Sequence, residues 1–146
     1  QPRLSVLIPT FRDDPVALLK ALDDPSVGAE IVVLDDGGGD DALAERIAGR
    51  VERLRVPTRF VRLSSNEGRA KGRNRLASHA RGQHMLFLDS DMLPDTPDFL
   101  SRWAVVAETG RNPGCPHSRS ENERSAVVRS AGEIFSRPTS KNWVSV

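Results

Sequence analysis

Hydrophobic positions along the chain alternate between short continuous runs and stretches with helical spacing. Leu4-Ser5-Val6-Leu7-Ile8 is a compact apolar run stopped by Pro9, long enough for a buried strand. Asp14-Pro15 then reads as an N-cap with proline at the first helical position, followed by Leu18, Leu19 and Leu22 at helical spacing. Ile31-Val32-Val33-Leu34 predicts a second strand, ended by two aspartates and three glycines. The next helix follows Asp40-Asp41, with Leu43, Ile47, Val51 and Leu54 as its apolar stripe. Phe60-Val61-Arg62-Leu63 gives a third strand, residues 69–80 a helix, and Met85-Leu86-Phe87-Leu88 a fourth strand. Thr96-Pro97 repeats the cap-plus-proline start, with Leu100, Trp103, Ala104 and Ala107 on one side.

Strands made of unbroken apolar runs, alternating with amphipathic helices, predict a mostly parallel sheet covered on both faces. That is a doubly wound α/β architecture, in which ligands bind beyond the carboxyl ends of the strands, where the strand order reverses. Beyond Glu108 the pattern changes. Thr109 to Arg124 reads as a polar loop, and three short candidates, 126–128, 133–135 and 143–146, have no assigned place in the sheet.

Composition sets the outer limits. The 146 residues suit one domain spanning 1–146. An apolar fraction of 38%, with 11 glycines, lies in the range of globular proteins. Lys+Arg number 21 against 20 Asp+Glu, so no net field recruits nucleic acid or an anionic bilayer. A single cysteine, Cys115, excludes an internal disulfide framework and a multi-cysteine zinc site. No apolar run reaches the roughly 18 residues of a membrane span. The expectation is a cytoplasmic domain that is a segment of something longer, with membrane association only through other parts.

The candidate chemistry sits at the predicted strand ends: Pro9-Thr10-Phe11, Asp35-Asp36-Gly37 and Asp89-Ser90-Asp91. Carboxylates converging on one edge repel each other unless a cation or a ligand's donors compensate them. Asp89 and Asp91, one residue apart, suit a hard divalent cation, since Mg²⁺ and Mn²⁺ often accept one or two carboxylates and leave other positions to water and phosphates. Asp35 and Asp36 suit the donors of a nucleobase and ribose. The glycine run 37–39 fits no dinucleotide or P-loop pattern and reads as a mobile turn. Arg69, Lys71, Arg73 and Arg75 crowd the first turns of a helix, where the macrodipole favours anions. Arg73 also shares a face with Ala70, Ala77 and Ala80, and a bound diphosphate would compensate both irregularities. His79, His84, His117 and Cys115 have no ligand spacing or activating partner and are assigned no role.

These segments in order, with Asn66-Glu67-Gly68 leading to Arg73-Asn74, resemble the family 2 glycosyltransferases of the GT-A fold, over residues 4–108. The resemblance implies a Rossmann-like, mostly parallel sheet holding a nucleotide-sugar site, truncated before the acceptor half. It implies that Pro9, Thr10 and Phe11 line the nucleoside and that Asp36, with Asp35, holds the base. Arg73 would lie near the base or diphosphate, Asp89 and Ser90 near the ribose and metal, and Asp91, with Asp89, would ligate Mn²⁺ or Mg²⁺. The implied activity is metal-dependent, inverting transfer of a hexosyl-type sugar from a UDP- or GDP-sugar to a saccharide, lipid or protein acceptor. Arg12 and Gly38 depart from the family's usual residues, and no downstream acidic motif supplies the general base. Three other readings compete: a non-catalytic nucleotide-binding domain, a haloacid-dehalogenase-like phosphatase with Asp89 as nucleophile, and a nucleotidyltransferase on a related α/β scaffold.

Overall fold

The computed structural model describes residues 1–109 and 127–129. Its strands are β1 (Leu4–Thr10), β2 (Ala29–Asp35), β3 (Thr58–Arg62), β4 (His84–Phe87) and β5 (Val127–Arg129). The helices are α1 (Val16–Ala21), α2 (Asp41–Val51), α3 (Arg69–His79) and α4 (Phe99–Thr109), with a 3₁₀ turn at Pro25–Val27. One sheet carries the order β3-β2-β1-β4-β5. The first four strands run parallel, Thr10 standing opposite Asp35 and Leu7 opposite Phe87, while β5 pairs antiparallel with β4. Of the unplaced strand candidates, the one at 126–128 therefore corresponds to an edge strand; those at 133–135 and 143–146 lie outside the described residues.

Strand alternation divides the core in two. Leu4, Val6 and Ile8 of β1 and Ile31 and Val33 of β2 face α1, α2 and α4, meeting Leu18, Leu19, Ile47, Leu100 and Trp103. Leu7, Val32, Leu34, Met85 and Phe87 face the other way, onto Leu76 of α3 and Ala80. Both faces are covered, as the continuous apolar runs require. The edge strand β3 is half-buried at Phe60 and Val61 and exposes Arg59 and Arg62, whose charges suit a strand with an unpaired side.

Strand β1 runs on through Pro9 to Thr10, β3 covers Thr58–Arg62, β4 covers His84–Phe87 and α3 ends at His79, each shifted by one or two residues from the sequence expectation. Three further boundaries differ with a visible physical cause. Strand β2 begins two residues early and includes Glu30, which is 3% exposed. Its carboxylate accepts from Ser5 Oγ at 2.6 Å and from the Arg81 backbone N–H and Nε, while Ser5 Oγ accepts from Gly82 N–H at 2.8 Å. Helix α4 starts at Phe99 because its first i to i−4 bond runs from Arg102 N–H to Asp98 O, leaving Thr96 and Pro97 in the preceding turn. Helix α1 starts at Val16, whose N–H donates to Asp14 Oδ1 at 3.0 Å, so Asp14 still serves the helix entrance.

Candidate functional site

The strand order reverses about β1: β2 and β3 lie to one side, β4 to the other. At the carboxyl edge, where β1 and β4 diverge into different loops, lies a cleft of about 550 Å³. Pro9, Thr10, Phe11 and Asp13 line it from the end of β1, and Leu34 and Asp36 from the end of β2. Asn66, Gly68, Arg69, Gly72 and Arg73 contribute from the entrance of α3, and Asp89, Ser90 and Asp91 from the turn after β4. Eight of the nine sequence-selected residues thus share one hollow. Asp35 is the exception.

Asp35 is 7% exposed and does not line the cleft. Its Oδ1 accepts from Gly38 N–H at 3.0 Å, and its Oδ2 lies 3.3 Å from Arg62 Nε. Arg62 also donates to Asp41 at 2.7 Å, and Asp41 first, then Asp35, raises the guanidinium pKa further. Asp35 therefore ties the loop after β2 to β3. Within the glycine run Gly37 is closely packed: it has φ +69, and a Cβ on it would meet Ser65 C at 2.1 Å and Asn66 N at 2.3 Å. Arg12 takes a left-handed φ of 61, uncommon without glycine, and its Nε donates to Gly38 O at 3.3 Å, so the loops after β1 and β2 clasp each other.

Thr10 is buried, its Oγ1 donating to Leu34 O at 2.9 Å, which fixes the end of β1 against β2. Phe11 is 41% exposed on the cleft wall, with the Arg12 guanidinium 5.0 Å from its ring centre. Asp36 is buried beneath the α3 entrance: Oδ1 accepts from Glu67 N–H at 2.8 Å, and Oδ2 from Gly68 N–H at 3.0 Å and Asn66 Nδ2 at 3.2 Å.

The seam of α3 is rotated relative to the expected alanine face. Gly72 and Leu76 are its buried residues, Ala70 is exposed and Ala77 half-buried. Glycine causes this: a Cβ at Gly72 would already stand 3.3 Å from Leu34 Cδ2, so the helix rolls to lay residue 72 on the sheet. Arg73 then sits beside the seam, half-buried, its guanidinium 5.0 Å from the Phe87 ring centre. Arg75 points elsewhere and pairs with Glu67, whose carboxyl it holds below its ordinary range.

After β4, Leu88 N–H still donates to Leu7 O at 3.0 Å, and the chain then turns, Met92 N–H donating to Asp89 O at 3.1 Å. Ser90 is buried in this turn, Asp89 half-buried and Asp91 exposed. Among the described residues no group of three or more His, Cys, Asp or Glu gathers as a self-sufficient metal cage. The donor set of Asp89 and Asp91 instead matches a hard cation that takes its remaining oxygens from water and phosphate. Arg69, one of the cations crowding the α3 entrance, and Asn66 and Gly68 of the preceding motif line the cleft as well, while Asp13 was not singled out in the sequence; its position just beyond the carboxyl end of β1 was the available signal. Of the histidines, His79 Nδ1 lies 3.5 Å from an Arg59 nitrogen and His84 opens β4, while His117 and Cys115 fall outside the described residues. No helix among the described residues is long and apolar enough to cross a membrane.

Comparison with known proteins gives a consistent set of likenesses. Residues 5–137 match the family model described as Glycosyl transferase family 2. Over 83 residues, 57% of this chain, the sequence is 38% identical to the uncharacterized glycosyltransferase YfnE of Bacillus subtilis, of which it covers 20%. Among solved structures, S. aureus TarS 1-349 in complex with UDP-GlcNAc superposes with a TM-score of 0.60 and 29% identity, over 80% of this chain and 37% of that one. The mannosyltransferase PcManGT from Pyrobaculum calidifontis, in complex with GDP-Man and Mn²⁺, gives 0.62 and 22% identity, over 75% of this chain and 33% of that one, a likeness of fold. The chain spans a fifth of the length of the curated relative and about a third of these solved chains.

Proposed function

The chain belongs to glycosyl transferase family 2, and from that membership we propose that its cleft binds a nucleotide-sugar donor and activates it for transfer to an acceptor hydroxyl. The observation that carries this reading is the meeting, at the sheet's point of strand reversal, of an exposed aromatic wall, two arginines and the Asp89–Asp91 turn in one hollow.

In this reading Pro9, Thr10 and Phe11 form the wall beside the nucleoside, with Phe11 offering its ring face. Arg69 and Arg73 face the diphosphate, where guanidinium groups make charge-assisted hydrogen bonds to phosphate oxygens. Asp89 and Asp91 would hold a Mn²⁺ or Mg²⁺ ion, with Ser90 shaping the turn between them. Bound there, such an ion supplies Lewis-acid neutralisation of the departing diphosphate. Arg69 and Arg73 add to that neutralisation, and more strongly as charge accumulates on the leaving oxygens. Asp35 acts only as a brace for the wall. Inverting transfer also needs a carboxylate to accept the proton of the attacking hydroxyl on the far side of the sugar; none of the described residues is assigned that role.

Support for a nucleotide-sugar comes from TarS, solved with UDP-GlcNAc and with UDP and 29% and 27% identical to this chain in those structures. The sugar is proposed as a hexosyl unit on UDP or GDP. Family membership leaves no ground for the phosphatase alternative; a nucleotide-binding domain without transfer activity is separated from the present reading by assaying sugar transfer. The test is a thermal-shift panel of UDP- and GDP-sugars with and without Mn²⁺. A metal-dependent rise in melting temperature with at least one of them supports the reading. No shift with any of them contradicts it.

A further inference from the structure

We propose that Arg12 is a positioning residue for the nucleoside end of the cleft: it holds the Phe11 ring in place from outside the hollow, and glycine at position 38 makes the room it needs. The inference rests on the donor reading above and adds to it a determinant of how tightly the nucleoside is held.

Phe11 sits in a bend just past β1, and an exposed ring on a loop has little packing to fix its angle. The Arg12 guanidinium lies over that ring, 5.0 Å from its centre. Phe11 lines the cleft and Arg12 does not, so the cation meets the ring from the side away from the hollow and leaves the inner face to a ligand. In an extended chain neighbouring side chains point to opposite faces. Arg12 departs from that alternation through a left-handed backbone, φ 61, which is disfavoured for a residue with a Cβ. Such strain persists where the surroundings overdetermine it. Here Arg12 Nε donates to Gly38 O at 3.3 Å, which anchors the side chain between the ring and the loop after β2.

Residue 38 completes the arrangement. A Cβ there would stand 3.2 Å from Arg12 N, 3.4 Å from Arg12 Cγ and 3.1 Å from Asp35 Oδ1. These neighbours are tied in place, Asp35 Oδ1 by the Gly38 N–H at 3.0 Å and Arg12 by its Nε bond, so a side chain at 38 pushes on the seat of Arg12. Unlike Gly37 and Gly39, Gly38 has no left-handed φ; close approach, not backbone conformation, is what calls for glycine there. Arg12 and Gly38, the two departures from the family's usual residues, are therefore in contact, and the position of one depends on the size of the other.

The experiment titrates UDP, GDP and inorganic pyrophosphate, each with Mn²⁺, into wild type, Arg12→Ala, Gly38→Ala, Phe11→Ala and the double variant Arg12→Ala/Phe11→Ala. A second measurement follows the Arg12 side-chain proton shifts, which the ring current of Phe11 displaces in wild type. Expected for Arg12→Ala is a loss of about threefold for UDP and GDP alike, the scale of an exposed cation–π contact, with pyrophosphate affinity unchanged. Gly38→Ala lowers the same two affinities and moves the Arg12 signals toward their positions in Phe11→Ala. Once Phe11 is alanine, Arg12→Ala costs nothing more, because the arginine acts through the ring. A loss that persists in that background means that Arg12 touches the ligand itself and overturns the proposal, as do an equal loss for pyrophosphate and unaltered affinities. Wild type that binds neither nucleotide contradicts the donor reading instead. The coupling of Arg12 to Gly38 is then judged on the proton shifts, and is overturned if Gly38→Ala leaves them unchanged.

Discussion

The guanidinium of Arg73 lies 5.0 Å from the centre of the Phe87 ring, joining α3 to the last residue of β4 at the edge of the cleft. The ring face lowers the cost of keeping this cation half-buried. Removing the cation therefore costs more than loosening its support. Arg73→Ala is expected to weaken nucleoside-diphosphate binding by about tenfold, the scale of a charge-assisted hydrogen bond. Phe87→Leu, which keeps an apolar residue in the core, is expected to weaken it by about threefold, since an exposed or half-exposed cation–π contact contributes about 0.5–1 kcal/mol. Calorimetric titration of UDP checks both; equal affinity in Arg73→Ala and wild type would count against the diphosphate assignment.

Gly37 and Gly39 share a left-handed backbone, with φ +69 and +73, yet differ in surroundings. A Cβ at Gly37 would strike the backbone of Ser65 and Asn66, whereas nothing lies within 4 Å of one at Gly39. Gly39→Ala should cost about 1 kcal/mol from conformation alone. Gly37→Ala should cost at least about 3 kcal/mol, because the loop before α3 must move as well. Urea denaturation of the two variants gives the comparison, and similar midpoints would show that the turn does not pack as described.

The buried Glu30 contributes to the acid sensitivity of the fold. Burial pushes its carboxyl pKa up, but the bonds from Ser5 and from the Arg81 backbone and side chain together outweigh this and hold it below the usual range. With the folded pKa lowered, the unfolded chain binds more protons in the window between the two values. The stabilisation is thus fully present above the unfolded value, near 4.5, and is lost as pH falls through the folded one. Glu30→Gln should be less stable at neutral pH and show a shallower loss of stability below about pH 4.5. Melting temperatures across pH 2–7 test this; parallel curves for the two proteins would exclude Glu30 as a titrating contributor.

Legibility followed burial. Strands β1, β2 and β4 were visible because parallel strands covered on both faces leave unbroken apolar runs, and the strand-end residues followed from the topology those runs imply. Glu30 concealed the true start of β2, since its principal cationic partner, Arg81, lies far along the chain and only the folded sheet brings them together. Helix α3 misled for a related reason: small residues mark a close-packed face, but Gly72, smaller than any alanine, took the seam and left Ala70 outside. The adjacent aspartates after β2 were indistinguishable in sequence. Their division of labour, Asp35 toward Arg62 and Asp36 toward residues 66–68, depends on which side of the sheet each faces.

The account stands most directly on the pairing of the Asp89–Asp91 turn with a cation and a diphosphate. The measurement is calorimetric titration of UDP-GlcNAc and GDP-mannose into wild type and Asp91→Ala, each in Mn²⁺ and in chelator. Wild type is expected to bind one of these donors in Mn²⁺ and to lose at least about tenfold in affinity in chelator, a difference of ~1.4 kcal/mol. Asp91→Ala is expected to show only the weaker, metal-independent affinity in both conditions. The same Mn²⁺-dependent affinity in Asp91→Ala as in wild type would contradict the central claim.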